Sequence, residues 1–498
     1  MAISNIGKGA ILSYIAIFLN IIISFVYTPW MLKQIGTSDY GLYSLILSFI
    51  SYFMIDFGLN AATSRFVTVY RAAGNDKMVE NVQGLMLKIF FTISIAIFII
   101  LLVCYFFLAD IFKGLTPEEI DRLKVLYVIA GTFSTLSFSL KPLEGALNAY
   151  ELFVPAKLID MFYKVGSVLF VVIALSLGGD IYSLILINGL IGFGCSVVRF
   201  FYWRKCTGLT PDLKYNDYKE IKAIVSFSGW TFLIGMAQRF RLTLVPSVLG
   251  IFSNSEQIAV FALGMTMEAM TWTLSSALNG LFLPKVARLV HDNNRDAIMQ
   301  LMVRVGRIQL FIVTIIFSGF FVVGQEFVHL WVGDEFMDVY WIVLFLICTN
   351  LISNTLAVAN DMIISENKIQ YTAPNVFICS LLGIGCSCLV ASGFGAIGCA
   401  ACSGVALMLT QILNIRVYQR KLNLDMYSFF NKVHVRILPL LTVCAGLFYF
   451  LFHYLNINNW LGLFLIAGVY VLAFLGVSYF VLFNGYEKSL VKSLICRK

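Results

Sequence analysis

The residues with the strongest claim to chemistry in this chain are charged side chains in stretches that otherwise hold none. Arg239 and Arg241, in MAQRFRLTL, sit about 15 residues into an apolar segment. At about 1.5 Å per residue that depth is beyond easy reach of water from the segment's start. A guanidinium stays charged and offers a planar fork of donors that fits phosphate oxygens two at a time. A phosphate-bearing group needs such a partner when it leaves water. Two residues apart is roughly 200° around a helix, so in a regular helix only one of the pair faces a given cavity. Pro246 lacks the amide that would bond to Leu242 and is expected to kink this helix, and Pro29 is its equivalent at the end of the first apolar segment. The second arginine then needs a carboxylate, for which Glu268 and Asp56 are the candidates.

Any ionisable group facing lipid costs several kcal/mol, and few others lie inside apolar segments: Lys88, Asp160, Lys164 and Asp361. Asp160 and Lys164 are four apart, acid first, the order that favours an internal ion pair. Lys88 lies one turn from a segment end and is placed to snorkel. Asp361 is near a segment end, where solvent contact is expected. Asn20, Asn60, Gln238, Asn279 and Asn350 are polar residues in the same setting, suited to sugar hydroxyls or to bonds between helices. No Walker sequence, Asp-x-Asp or metal-ligand His pair is present, so neither catalytic nor metal-binding residues are expected, and no cofactor. Cys399-Ala-Ala-Cys402 has ligand spacing without a second pair, and the cysteines of this region read as small residues at a helix contact.

The elements that carry these groups follow from composition. Of 498 residues 60% are hydrophobic and only 12% charged, where a soluble domain holds about 25% charged residues. Apolar runs of 18 or more recur along the chain, each long enough to cross about 30 Å of hydrocarbon as a helix. Only helices or closed barrels satisfy the backbone in lipid, and these runs are too long for barrel strands. The fold class expected is therefore all-α, a polytopic membrane bundle of about fourteen helices, the second over residues 42–62 and the first retained in the mature chain. With the N-terminus cytoplasmic, the loop lysines and arginines fall almost entirely on the cytoplasmic side, leaving Lys33 and Lys113 opposite. Both termini are then cytoplasmic, in the inner membrane. The net charge of +8 follows from topology and contact with membrane lipids, and calls for no nucleic acid.

The chain also repeats itself. YTPWMLKQIGTSDYGLYSLILS (27–48) returns as LVPSVLGIFSNSEQIAVFALGM (244–265), SRFVTVYRAAGNDKMVENV (64–82) as PKVARLVHDNNRDAIMQLM (284–302), and LADIFKG (108–114) as GQEFVHLWVG (324–333). Six spans separate the copies, an even number, so the repeat is parallel. Two six-helix lobes are expected, 1–210 and 211–416, with two further helices and a tail over 417–498. The turns near Ser38 and Ser255 should share one face. Two-lobed bundles of this kind place their substrate between the lobes and rock one against the other.

The opening ISNIGKGAILSYIAIFLNIIISFVYTPWMLKQIGTSDYGLYSLILSF resembles the polysaccharide flippases of the multidrug/oligosaccharidyl-lipid/polysaccharide exporter superfamily. The carrying residues are Pro29, Gly36, Tyr40, Gly41 and Tyr43, and DFGLNAATSRFV (56–67) is similar to that family's exit from helix two. The chain departs from many relatives at MAQRFRLTL, which lacks an acid before the arginine. The resemblance implies transport of an undecaprenyl-pyrophosphate-linked oligosaccharide to the outer leaflet, with polysaccharide polymerase and chain-length machinery as partners. A multidrug or cation antiporter of the same superfamily is the alternative, but it calls for buried acids, and here the deepest charges are basic. A membrane enzyme of polysaccharide assembly would need a large outer loop, and the chain has none.

Overall fold

The computed structural model describes residues 5–55, 58–222, 224, 243–276, 282–366, 368–452, 459–485 and 487–489, and every regular element among them is helical. Ten helical segments among the described residues are long and apolar enough to cross a membrane. One of them, Ile369–Lys421, has 53 residues, roughly 80 Å if straight, more than twice the hydrocarbon thickness. It is not straight. Gly395 sits at φ 53, ψ −140, a conformation open to glycine, and breaks the run into two passes where a turn was expected.

The chain forms two compact units: residues 1–262 with 387–395, and residues 263–386 with 396–498. The first begins with α1 (Asn5–Ile35), α2 (Thr37–Phe53), α3 (Leu59–Ala72) and α4 (Asp76–Phe106). Glycines at positive φ make two of these junctions, Gly36 (φ 84) and Gly58 (φ 73). The second junction corrects the expectation of one helix over 42–62: α2 ends at Phe53 and α3 starts at Leu59. There follow α5 (Pro117–Ser139), α6 (Pro142–Ala149), α7 (Phe153–Ser176) and α8 (Ile181–Thr207). Then come α9 (Val245–Phe252) and α10 (Ser255–Ser275), which runs on into the second unit.

The connector after α8 is strapped onto the start of α4. Asp212 N–H donates to the Glu80 carbonyl at 3.0 Å, Thr210 N–H to Glu80 Oε1 at 2.9 Å, and Lys77 Nζ meets Asp212 Oδ2 at 3.2 Å. Lys88 reaches out of its segment, as a snorkelling lysine should, and donates to the Tyr215 carbonyl. Gly84 permits the close approach, since a Cβ there would run into the Asp212 backbone.

The second unit contains α11 (Leu283–His291), α12 (Arg295–Trp331), α13 (Asp338–Cys348), α14 (Ala357–Ser365), the broken α15 (Ala373–Lys421) apart from its residues 387–395, α16 (Arg436–Phe452) and α17 (Trp460–Val477). The sequence repeat is visible in its local geometry. Gly74 (φ 67) precedes the cap Asn75, whose side chain accepts from Met78 N–H at 3.0 Å; Asn293 (φ 49) precedes Asn294, which accepts from Ala297 N–H at 3.0 Å. The same left-handed residue and asparagine cap start α4 and α12, because each must stop one helix and satisfy the first amides of the next.

One buried ion pair pins the end of the chain to this unit. Arg307, on α12, bonds Glu487 through Nε at 2.5 Å and Nη2 at 3.0 Å, and its remaining donors reach the carbonyls of Lys432 at 3.2 Å and Leu482 at 2.8 Å. Both side chains are under a tenth exposed. Removing one partner of such a pair leaves the other charge buried, at a cost of about 3–5 kcal/mol. Arg307→Met should therefore lower the thermal unfolding midpoint of the detergent-solubilised protein sharply, and Arg307→Lys, which keeps the charge but loses the fork, should fall between.

Candidate functional site

Lys157, Asp160 and Lys164 recur on α7 at i, i+3 and i+7 and so share one helix face. Lys164 lies eleven residues past the start of α7, about 16 Å along its axis. The neighbouring α8 supplies Arg199. The expected Asp160–Lys164 pair does not form. Asp160 instead takes Arg199 on one oxygen and Lys157 at 3.5 Å on the other. A guanidinium from an adjacent helix competes well for a carboxylate because its fork of donors is pre-organised. Among the described residues Lys164 forms no ion pair.

These side chains line two cavities inside the first unit. One, of about 370 Å³, is bounded by Asn20, Lys157, Asp160, Tyr163 and Lys164. The other, of about 320 Å³, is bounded by Tyr43, Ser134, Ser137, Tyr163, Asn188 and Arg199. Tyr163 belongs to both walls. Three cations against one carboxylate leave the pair of cavities electropositive, with hydroxyl and amide groups around the charge. Concave sites with a few convergent polar groups in apolar walls are where small ligands bind, and this donor set fits an anion that also carries hydroxyls.

The same unit is tied shut at one end by the two turns that the sequence repeats. Ser38, at the start of α2, donates to Glu119 Oε1 at 2.6 Å; Ser255, 217 residues later at the start of α10, donates to the same oxygen. The two hydroxyl oxygens are 3.3 Å apart. The turns thus share a face, as the repeat required, and they do so in direct contact. Glu119 is held by a capping box at the start of α5, its Oε2 accepting from Thr116 N–H at 2.9 Å and Thr116 Oγ1 at 3.2 Å. Around it Arg122 pairs with Asp39 at 3.0 Å and Gly114 N–H donates to the Gly250 carbonyl at 3.1 Å; at the far end of α2, Tyr52 bonds the Thr243 carbonyl at 2.5 Å and lies 3.0 Å from Ser247 Oγ. Gly41 allows the approach, since any Cβ would run into the Ser255 carbonyl.

Of the residues singled out from sequence, Arg239, Arg241, Asp56, Gln238 and Asn279 lie outside the described residues. Glu268 is half-buried on α10, in the second unit. Pro29 is inside α1, and Pro246 occupies the first turn of α9, where a missing amide goes unnoticed. Asn20 lines a cavity, Asn350 is buried, and Asn60 has a buried Oδ1 without a partner. Asp361 does not meet solvent as expected: it is 5% exposed, and its Oδ2 has no partner among the described residues. Sequence reasoning passed over Lys157, Arg199 and Glu119, which sit near segment ends where charge is ordinary; the i, i+3, i+7 spacing on α7 was the available signal.

A many-pass helical membrane protein with electropositive cavities inside its first unit is the class that this fold and site define. The profile of the family described as polysaccharide biosynthesis protein matches residues 6–289, more than half of the chain, and the chain belongs to that family. Its fold is similar to that of the lipid II flippase MurJ in an inward closed conformation, with a TM-score of 0.71 at 14% identity over 95% of this chain and 98% of that one. It is similar also to a multidrug resistance MATE family transporter of the MOP superfamily, inward-facing, with a TM-score of 0.69 at 12% identity over 82% and 98%. A MOP superfamily transporter from Pyrococcus furiosus gives a TM-score of 0.55 at 13% identity over 83% and 96%. At these identities the likeness is one of fold. No curated protein matches the chain in sequence.

The close approach of Ser38 and Ser255 is open to direct measurement. Their oxygens lie 3.3 Å apart, so thiols in their place come within reach of one another. Ser38→Cys with Ser255→Cys should cross-link under mild oxidation, and adding Gly41→Leu should abolish the product.

Proposed function

We propose that this protein moves an undecaprenyl-pyrophosphate-linked oligosaccharide from the inner to the outer leaflet of the cytoplasmic membrane by alternating access. The observation that carries the reading is the pair of electropositive cavities formed by α1, α7, α8 and their neighbours. A pyrophosphate head group needs cations when it leaves water, and its sugars need hydroxyl and amide partners; Lys157, Lys164 and Arg199 supply the first, Asn20, Asn188, Ser134 and Tyr43 the second. Arg239 and Arg241 extend the same logic along the route. Membership of a polysaccharide biosynthesis family supports the substrate class, and the fold's likeness to a lipid II flippase supports the kind of movement.

The division we propose for that movement is two six-helix lobes, 1–210 and 211–416, with 417–498 appended. With both termini cytoplasmic, the Ser38–Ser255 contact is on the outer face. Residues 245–262 belong to the first compact unit although the repeat assigns them to the second lobe, which is what an outer end held closed requires. No nucleotide motif is present, so the work comes from the membrane potential, an ion gradient or substrate supply. A head group with roughly two negative charges moving outward gains on the order of 4–5 kcal/mol per 100 mV if it crosses the whole field. Polysaccharide polymerase and chain-length machinery would then act on the delivered substrate.

Cells lacking the protein should accumulate lipid-linked oligosaccharide on the inner leaflet with unchanged sensitivity to cationic dyes. Normal glycan export with raised dye sensitivity would instead identify an antiporter. A charge-assisted hydrogen bond is worth about 1.5–3 kcal/mol, so Lys164→Ala should cut export about ten- to hundredfold, with Lys164→Arg retaining most of it. Unchanged export in Lys164→Ala at normal protein level would remove the cavities from the pathway.

A further inference from the structure

At the closed end of the first unit a single carboxylate joins elements that the chain supplies far apart. An ionised carboxylate has about four acceptor positions, and four donors reach Glu119: the hydroxyls of Ser38 and Ser255 on Oε1, the amide and hydroxyl of Thr116 on Oε2. Among the described residues no lysine or arginine pairs with it; the nearest cation on its own helix, Arg122, is engaged by Asp39 at 3.0 Å. The other titratable groups of the surrounding elements are Glu118 and the Asp121–Lys124 pair on α5, Asp180 and Tyr182 at the start of α8, Glu256 beside Ser255, Lys33 at the end of α1, and Asp110 and Lys113 on the approach to α5. The anion is thus held by hydroxyls and an amide.

We propose that Glu119 is a proton-binding site and that its protonation releases the closure of the outer face, an inference that rests on the transport reading for its place in a cycle. A protonated carboxyl carries an O–H of its own and accepts less well, so it cannot keep all four donors. The Thr116 donors lie in the same turn and stay nearby whatever happens. Ser38 and Ser255 come from α2 and α10, and without the carboxylate between them they keep one hydroxyl contact. The proton therefore binds better when the two turns are apart. By linkage the closed form is favoured while Glu119 is ionised, and falling pH outside shifts the protein towards the open form.

The test uses the full chain in right-side-out membrane vesicles. Ser247, buried beneath the closure on α9, is replaced by cysteine and labelled with an impermeant thiol reagent. Its rate is taken above that of the parent chain and divided by that of Lys113→Cys, an exposed position on the same face. The normalised rate should rise several-fold between neutral pH and the ordinary glutamate range, about pH 4.3. Glu119→Gln should label fast at both, and Glu119→Asp should keep a pH dependence. A Glu119→Gln protein that labels slowly at neutral pH, or that keeps the full acid response, overturns the proposal. If Glu119→Gln does not accumulate, Ser38→Ala with Ser255→Ala decides: it must raise labelling at neutral pH, and an unchanged rate overturns the latch. Labelling needs no substrate, so a chain that behaves as expected here but exports no oligosaccharide refutes the transport reading and leaves the proton site standing.

Discussion

Charge that has left water must find charge or a full set of hydrogen bonds, and the organisation of this protein follows from that constraint. In hydrocarbon an isolated ion costs several kcal/mol, and an unpaired backbone amide is nearly as unwelcome. The second condition makes every described element helical. The first sorts the few ionisable side chains into those that are neutralised and those that are held ready for something else. Arg307 belongs to the first kind, its donors shared among Glu487 and the carbonyls of Lys432 and Leu482. Lys164 belongs to the second, facing a cavity without an ion pair among the described residues.

The same constraint links the cavities to the closure. Asp160 is spent on Arg199 and Lys157, so the cavity walls keep a net positive charge. Glu119, at the other end of the unit, has no lysine or arginine partner among the described residues and accepts from three hydroxyls and one amide. A group satisfied by a salt bridge survives a change in packing; a group satisfied by hydroxyls from separate helices does not. Structural pinning is therefore done with ion pairs, and the contact that must be made and broken is done with hydroxyls and one carboxylate.

Glycine marks where backbones come together or turn. Gly41 lets α2 meet the start of α10, Gly84 admits the connector to α4, and Gly395 breaks a run too long for one crossing. The duplicated asparagine caps at Asn75 and Asn294 show the same solution reached twice from related sequence. Repetition here is legible in local geometry as well as in letters.

The all-helical class, the several passes and the shared face of the two turns were readable from the chain, because they depend on period, length and spacing, which are properties of order along a sequence. The break between Phe53 and Leu59 was not, since an apolar run gives no sign of where a glycine will turn left-handed. Partner choice was legible only in part. That Asp160 needed a cation was evident, but that Arg199 would take it depended on which helix packs beside α7. Asp361 looked solvent-exposed by position, yet packing of the surrounding helices buries it. Ser38, Ser255 and Glu119 were visible only as two equivalent turns and one loop acid. Their convergence on one carboxylate oxygen is a matter of three helices meeting, and distances across a bundle are set by tertiary packing, which no local pattern encodes.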